Sequence, residues 1–444
     1  MNSPRIISGK EAGRLAEFPF VDAYHLESDS YSYLNDLRYH ALTAYRSQPF
    51  PDVTTPGWRK VSLQDFRTQD YRLPGESTTL PEQPALDLPI QYSKNILGIQ
   101  RVYTQNGSRL FIPPTSEKGI SCGLTSDPSA IFPKKVIEKI GQIIPPSSDK
   151  FTAFGFAFAR ETAVIYMDEA SQVDTPIFYQ EEYQGEKLAI PSTTMIYLAR
   201  NSSATLIRQH KSAEASDLFS AGTTEIFLEE GARLDILDLF TASDQTWDIQ
   251  NQKAELEENA TLNWFTLLSG SGFSKSHLQV DLIGQGSQAL ITGLFLPVRK
   301  QRFYMDTLQN HLGENTTSDL LYRGVVNGES QSRWQGMIYV DKQAIRADGY
   351  QANHNLILSK AAKVDAIPGL EILTDDVRCS HGVTITNIDA EQQFYLKSRG
   401  ISEQDGVGLI VSGFIQKALD RISSEFTKQM ILDEFISRIN KNML

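Results

Sequence analysis

A short motif recurs along the middle of the chain at a nearly constant spacing, and this repeat limits the fold more than any other feature. Each copy is a polar turn and a small residue followed by a run of alternating polar and apolar residues. The copies are 203–206, 231–234, 259–262 and 286–289, at steps of 28, 28 and 27 residues. Such a step is typical of a solenoid, in which each coil stacks its strands on the coil before it. The alternative is an antiparallel sandwich, whose strands recur about every 8–12 residues without a longer register.

The repeat lies within a region of period two that extends from about residue 151 to residue 388. Apolar residues that alternate with others over about four to eight positions predict half-buried strands. The clearest examples are Phe154, Phe156 and Phe158, then residues 278–282, 289–295 and 334–340. The predicted fold class is mainly β, with a right-handed parallel β-helix (solenoid) core flanked by N-terminal and C-terminal α-helical regions.

Helical patterns flank this core. Near the start, Tyr33, Leu34, Leu37, Ala41, Leu42 and Tyr45 recur at a spacing of three to four residues, which places them on one helix face. The stretch Pro49–Pro56 then ends the helix, and residues 57–150 are rich in proline and predict loops. We divide the chain into a helical and loop-rich region (1–110), the β-helix core (111–388) and a C-terminal helical domain (389–444).

Three helices are predicted after residue 388. Asp389 with Gln392 forms a capping box for the first, and Gly400 ends it. Ser402 with Asp405 opens the second, and the third carries an apolar stripe from Phe426 to Ile439. Each helix has one apolar stripe, which can cap the solenoid or receive a partner, and the pattern leaves both open.

Composition excludes several classes of function. Acidic residues outnumber basic ones 54 to 42, which argues against a general binder of nucleic acid or anionic membranes. The two cysteines, Cys122 and Cys379, are too few for a disulfide framework or a self-contained iron–sulfur site. The start has no apolar stretch of signal-peptide length, and no apolar run is long enough to span a membrane. These features predict a soluble, cytoplasmic protein.

The sequence carries none of the common catalytic motifs that we sought. There is no GxxxxGK[ST] loop, GxSxG elbow or HExxH helix. A solenoid glycosidase would need clustered carboxylates on adjacent coils. The nearest carboxylates are Glu229, Glu230, Asp235 and Asp238, which we assign to turns and outward positions on a solvated face. We therefore predict that the chain is not an enzyme.

One polar segment, Asp375–Gly382, stands at the end of the strand region. Its Cys379 and His381 are two residues apart, so in an extended strand they project to the same side. Cysteine and histidine are ligands for iron, zinc or copper, but two ligands need others from a second chain. Spacing alone favours a buried cysteine beside a hydrogen-bonded histidine. Arg378 is expected to pair locally with Asp375 or Asp376.

The same segment carries a family resemblance. Residues 370–384 and the adjoining Gln392–Ile401, which contains Phe394-Tyr395-Leu396-Lys397-Ser398-Arg399-Gly400, resemble the SufB/SufD family of the SUF system for iron–sulfur cluster assembly. The strong match covers about residues 320–420, and Trp58–Lys60 is similar to a tryptophan-centred segment of the family.

Three differences place the resemblance on the SufD side of the family. SufB-like chains carry Glu-His-Glu-Ala where this chain has Cys379–Gly382. They carry a functional cysteine near the position of Lys360–Lys363, and an N-terminal cysteine cluster that this sequence lacks. A SufB-like or homodimeric scaffold is the alternative, and a carbohydrate-active solenoid is a more distant one.

The resemblance implies a non-catalytic scaffold that pairs with SufB through the end of the β-helix and binds the ATPase SufC through the tail. It implies that His381 is an inter-subunit ligand for iron or a nascent cluster, with Cys379 a buried neighbour. It also implies that no cofactor is stably bound by the isolated chain. The residues expected to face SufC are Phe394, Tyr395, Leu396, Arg399 and Gly400.

Overall fold

A computed structural model describes residues 15–24, 26, 31–75, 100–106, 108–111, 119–127, 130–173, 175–213 and 215–442. Its central feature is a parallel β-solenoid of about eight coils, each contributing one strand to each of two facing sheets. The predicted solenoid is therefore confirmed. Within the described residues, strands of neighbouring coils pair in parallel, except that β1 pairs with β2 and β3 with β4 in antiparallel fashion at the first end.

The strands alternate between the two sheets along the solenoid. The first sheet contains β3 (Ile120–Leu124), β4 (Thr162–Met167), β6 (Leu188–Leu198), β8 (Leu218–Leu228), β10 (Trp247–Leu256), β12 (Phe273–Leu282), β14 (Arg302–His311), β16 (Gln331–Val340) and β18 (Lys363–Ile372). The second contains β1 (Gln100–Gln105), β2 (Ser108–Phe111), β5 (Ile177–Tyr183), β7 (Ser203–Ser212), β9 (Arg233–Phe240), β11 (Thr261–Leu268), β13 (Gln288–Phe295), β15 (Thr317–Val326), β17 (Ala347–Ile357) and β19 (Val377–Asn387).

The register of the coils corrects the first repeat step. Ser203 pairs with Arg233, which pairs with Thr261, which pairs with Gln288. The successive steps are thus 30, 28 and 27 residues, and the predicted first step of 28 was wrong. A shift of two residues keeps every side chain on the same face of a strand, whereas a shift of one reverses them all. The hydrophobic pattern therefore could not distinguish 28 from 30.

The N-terminal helical region covers the outer face of the first sheet. Helix α1 (Ser32–Ser47) buries Leu34, Ala41, Leu42 and Tyr45, which confirms the predicted apolar face, and ends just before the proline-rich stretch. A 3₁₀ turn (Thr68–Asp70) and helix α2 (Lys134–Lys139) follow. Helix α3 (Lys150–Phe158) then packs between α1 and strands β6 and β8.

The strand predicted at Phe154, Phe156 and Phe158 is wrong, because these residues belong to helix α3. The Asp149 carboxylate caps the helix by accepting hydrogen bonds from the N–H groups of Phe151 and Thr152, at 2.8 and 3.0 Å. Every residue of α3 is buried. A short apolar segment buried on all sides has no polar face, so its period cannot separate a helix from a strand.

The three C-terminal helices are α4 (Ala390–Ser398), α5 (Glu403–Leu419) and α6 (Glu425–Asn442). Apolar residues of α5 and α6, among them Val411, Ile415, Ile431 and Phe435, form one buried cluster with outward residues of the second sheet such as Leu237. The predicted stripes therefore cover one flank of the solenoid. None of the helices within the described ranges is long and apolar enough to cross a membrane.

Candidate functional site

The last coil leaves one end of the solenoid open. Strands β18 and β19 are the terminal strands of their sheets, so one edge of each has no strand partner in the described part of the chain. Several large apolar side chains are exposed there, namely Ile367, Leu370, Ile372, Leu373 and Ile385. Unpaired strand edges beside exposed apolar side chains are a template for pairing with another chain.

Cys379 and His381 lie on β19 at this open end. Cys379 pairs in register with Gly349, and His381 pairs with Gln351. Gly349 and Gln351 are buried and face the solenoid interior, so Cys379 and His381 share the inward face, as alternation predicts. His381 is nevertheless exposed, because no further coil covers it. The two side chains project to one side of the strand but have different environments.

The Cys379 thiol sits in a partly apolar pocket. It packs with Val377 against a small cluster that includes Ile338 and Ala347. Its sulfur lies 3.2 Å from the position that a Cβ on Gly349 would take, so a larger residue at 349 would have to displace the sulfur by a few tenths of an ångström. Desolvation raises the pKa of Cys379, while a hydrogen bond from the Gly349 backbone acts against this shift. The thiol form is therefore favoured in the isolated chain.

Arg378 points to the opposite face of β19, and its predicted pairing with Asp375 or Asp376 is wrong. Asp376 instead lies 3.7 Å from Arg346, and the Arg346 N–H donates to the Asp376 carbonyl at 2.6 Å. These two turns are stacked on one another in neighbouring coils. Asp376 therefore contacts Arg346 of the neighbouring coil and not Arg378, its near neighbour in sequence.

Within the described residues, no group of three or more His, Cys, Asp or Glu side chains could hold a metal ion. His210 lies inside the solenoid beside Glu181, at 2.7 Å, and stacks on Phe240. His311 is buried between the hydroxyls of Thr316 and Ser318, at 2.8 and 2.7 Å. Both are held by internal contacts, as expected of structural histidines.

The carboxylates considered for a glycosidase do not form one cluster. Asp238 is fully buried inside the solenoid and paired with Arg208, so its predicted outward position is wrong. Its neighbours Leu237 and Leu239 face outward, where they are covered by the C-terminal helices. Because both faces of this strand are buried, alternation alone could not identify the inward one.

The first tail helix, α4, presents its aromatic residues to solvent. Phe394 and Tyr395 are 74% and 56% exposed, so two adjacent large aromatic side chains face solvent. Leu396 is half-buried beside Gly406 of α5, and Arg399 places its guanidinium 5.2 Å from the Tyr395 ring. Gly400 has a φ of +81°, which favours glycine and ends the helix.

The tail is fastened to the second sheet by polar contacts as well as by its apolar stripe. Arg421 makes two hydrogen bonds to the Asp319 carboxylate of β15, at 2.8 and 2.9 Å. Arg323, also on β15, donates to the Phe414 carbonyl, and its guanidinium lies 4.9 Å from the Phe414 ring. Strand β15 lies two strands from β19, so the tail is anchored close to the open end.

Sequence reasoning missed one group of residues at this end. The inward positions of β17 are Gly349, Gln351, Asn353 and Asn355, and all four are buried. Gln351 stands where the two preceding coils carry Leu320 and Ile291, and this change from apolar to polar was the signal that could have identified the group.

The chain is similar to known proteins over a region that includes this end of the solenoid. Residues 180–414 match the family model described as SUF system FeS cluster assembly, SufBD core domain. The chain is 31% identical to the iron–sulfur cluster assembly protein SufD of Escherichia coli over 242 residues, which are 54% of this chain and 57% of that protein. It is 24% identical to SufB of Bacillus subtilis over 294 residues, covering 66% and 63%.

A longer match, at 22% identity over 410 residues, relates the chain to a SufBD family protein of Staphylococcus epidermidis and covers 89% of this chain and 87% of that one. The matches to the E. coli and B. subtilis proteins each span less than two thirds of the relative's own length.

Proposed function

The chain belongs to the SufBD family of the SUF system for FeS cluster assembly, and from this premise we propose that it is the SufD-like scaffold subunit of a SufB–SufC–SufD complex. In this proposal the chain performs no catalysis. It pairs with SufB through the open end of the solenoid and with the ATPase SufC through the tail. Iron or a nascent cluster is the cargo, held transiently between chains.

The observation that carries the proposal is the position of His381. It is an exposed imidazole at the end of a stack of buried inward side chains, between two unpaired strand edges. A second chain that continued the sheets would cover His381 and bring its own side chains opposite it. His381 then supplies one ligand, with Cys379 as a half-buried neighbour, and the partner supplies the rest, in keeping with the absence of a three-ligand group among the described residues.

The tail supports the second interface. Phe394 and Tyr395 are exposed on α4, whereas α5 and α6 are fixed to the second sheet. Aromatic side chains on a helix are typical anchors of protein interfaces. An ATPase bound there would act on a helical element joined to a stiff solenoid, which can transmit its motion to the open end.

Assignment to SufD rather than SufB rests on the Cys379–Gly382 and Lys360–Lys363 differences. The match to SufB of B. subtilis covers more of this chain than the match to SufD of E. coli, which favours a SufB-like scaffold as the second candidate. A related candidate is a homodimer formed through the same open end. Measuring the native mass of the chain with and without SufB distinguishes these candidates.

Co-expression with SufB and SufC, followed by purification through a tag on this chain, tests the proposal. We expect all three chains to co-purify, with iron and sulfide in the product. Recovery of this chain alone at ordinary salt would contradict it.

A further inference from the structure

A cavity of about 430 Å³ lies on the outer face of the first sheet, beneath the N-terminal region. Four polar side chains on neighbouring strands, each the register partner of the next, form its floor: Asn251 of β10, His277 of β12, Asp306 of β14 and Gln335 of β16. The adjacent residues Leu278 and Trp334 belong to the solenoid core, so these four face outward. We call them the polar row.

The polar row differs from the rest of the covered face. Elsewhere under the N-terminal region the outer face of the first sheet is mostly apolar, with residues such as Ala189, Phe219 and Phe273 in one cluster with that region. Burial of polar side chains is unfavourable unless they are hydrogen-bonded. A small number of polar groups within an apolar surrounding is, however, what orients the ligand in small-molecule sites.

The roof of the cavity is the loop that contains Gly57 and Trp58, together with the start of α3. Trp58 is 7% exposed, and its ring stacks on Phe151 with 5.4 Å between the ring centroids. Gly57 has a φ of +76°, and a Cβ there would lie 3.2 Å from Oδ2 of Asp306. The loop therefore approaches the floor closely and encloses the cavity on this side.

Charges around the cavity compensate one another. Lys275 of β12, whose side chain is 6% exposed, forms an ion pair with Asp306, and its ammonium lies 5.9 Å from the centre of the Trp58 ring. Asp149 is held by the N–H groups at the start of α3. Desolvation lowers the pKa of His277 below its usual value of 6.5, so its imidazole is neutral at pH 7.

This lining disfavours both kinds of ion. An anion would lie against the carboxylates of Asp306 and Asp149, and a cation would lie against the Lys275 ammonium. No group of metal-binding side chains occurs in the part of the chain that the structure describes. An uncharged ligand meets neither repulsion.

The lining offers both donors and acceptors of hydrogen bonds. An ammonium has three N–H groups and a carboxylate about four acceptor positions, so Lys275 and Asp306 keep capacity beyond their mutual contact. Asn251 donates through Nδ2 to Oγ1 of Thr152 at 2.8 Å, which leaves its carbonyl oxygen as an acceptor. Three apolar side chains complete the lining, namely Ile249, Leu308 and Met337.

We infer that the cavity binds a neutral polyhydroxylated molecule of about the size of a monosaccharide or disaccharide. Its volume falls within the range of about 300–1,000 Å³ that is usual for small-molecule sites. A hydroxyl group both donates and accepts, so one ligand can bind Asp306 and Lys275 at once. Its C–H groups pack on Leu308 and Met337. This site is separate from His381 and does not depend on the proposed function.

A series of probes of similar size and different charge tests this site on the full chain. D-glucose and sucrose are the neutral probes, gluconate is the anion and glucosamine the cation, and saturation-transfer NMR with titration measures the affinity of each. We expect at least one neutral probe to bind with a Kd of about 1 mM or tighter, as so few ligand atoms allow. Gluconate and glucosamine should bind at least about fivefold more weakly than glucose, because each places a charge against Asp306 or Lys275.

Two variants locate the binding. Gln335→Leu removes one amide at the half-buried edge of the polar row and should weaken binding about threefold to tenfold. Lys275→Met removes a charged donor and should weaken it about tenfold or more. Gln343→Leu, in the exposed turn before β17, is the matched control and should bind as the wild type does. The thermal midpoint checks folding, and if Lys275→Met does not fold, Gln335→Leu alone decides.

Three results would overturn the inference. One is a wild-type chain that binds neither neutral probe at about 10 mM, which would mean that the cavity holds water only. Another is tighter binding of gluconate or glucosamine than of both neutral probes. The third is unchanged affinity in Gln335→Leu, which would place the binding elsewhere on the chain.

Discussion

Arg208 and Asp238 occupy the same register position in neighbouring coils and form a fully buried ion pair inside the solenoid. The Arg208 guanidinium donates to both oxygens of the carboxylate, at 2.6 and 2.9 Å. Asp238 also accepts hydrogen bonds from the side chains of Gln252 and Trp264, at 3.0 and 2.9 Å. The pair therefore joins both sheets at the middle of the core.

Removal of one partner should strongly destabilise the solenoid. Asp238→Ala leaves the Arg208 cation buried and unpaired, and we expect a loss of about 3–5 kcal/mol in the free energy of unfolding. The double variant Arg208→Met, Asp238→Leu removes both charges and should lose much less. Urea unfolding measures both. A single variant that loses less than about 1 kcal/mol would contradict this interpretation.

The Glu225 carboxyl should make stability fall as the pH rises towards neutrality. It is fully buried and accepts hydrogen bonds from the N–H groups of Gly141 and Ile144, at 2.7 and 2.8 Å. Desolvation raises its pKa from 4.5 to about 7. The folded chain thus holds this proton more tightly, so the contribution to stability is present below pH 4.5 and is lost as the pH rises through 7.

Glu225→Gln removes this titration. The difference in unfolding free energy between the variant and the wild type should change in favour of the variant from pH 5 to pH 8, by about 1–3 kcal/mol. Other titrating groups are present in both proteins and cancel in the difference. A difference that stays constant across this range would show that Glu225 is already ionised at pH 5.

The two cysteines should differ in reactivity with iodoacetamide. Burial raises the pKa of Cys122 to about 12, and desolvation also raises the pKa of the half-buried Cys379. Since the thiolate is the nucleophile, both should react more slowly at pH 7.5 than free cysteine. Cys379 should be modified first, and Cys122 only after unfolding, as measured by peptide mass spectrometry. If Cys379 reacted at the rate of free cysteine, this would contradict the half-buried position described for its thiol.

His381→Ala should lower the iron and cluster content of the co-purified complex without preventing its assembly. The side chain is exposed, so the free energy of unfolding should change by about 0.5 kcal/mol or less. His40→Ala, an exposed position on α1, is the control. Iron content equal to that of the wild type would show that His381 is not a ligand.

Replacement of the exposed aromatics of α4 should weaken binding of SufC. Phe394→Ser with Tyr395→Ser removes two large apolar side chains that are largely exposed, so folding should be little affected. Loss of an aromatic anchor typically costs about 2 kcal/mol or more in binding, roughly thirtyfold in affinity for each. Tyr39→Ser, an exposed position on α1, serves as the control. Equal SufC binding by wild type and double variant in calorimetry would place the interface elsewhere.

The candidate site could be predicted in part. Both side chains of the Cys379–His381 pair lie on one face of an end strand, as the two-residue spacing indicated, and α4 ends at Gly400 as predicted. Cys379 is half-buried and His381 is exposed because the last coil ends at this point. The local sequence pattern does not show where the last coil ends. Gln351, Asn353 and Asn355 were missed because their place inside the solenoid depends on the register between coils.

The sequence by itself determined that the chain forms a solenoid between two helical regions. A repeated alternation at a nearly constant step buries apolar side chains only when coils stack, so the repeat itself implies the architecture. Only the tertiary structure decided which face of each strand points inward. Helices cover both sheets on the outside, so residues such as Leu237 are buried as thoroughly as inward ones, and a charged Asp238 lies in the core because Arg208 of the neighbouring coil meets it there. Burial depends on what packs against a residue in space, and that partner lies about one coil away in the chain.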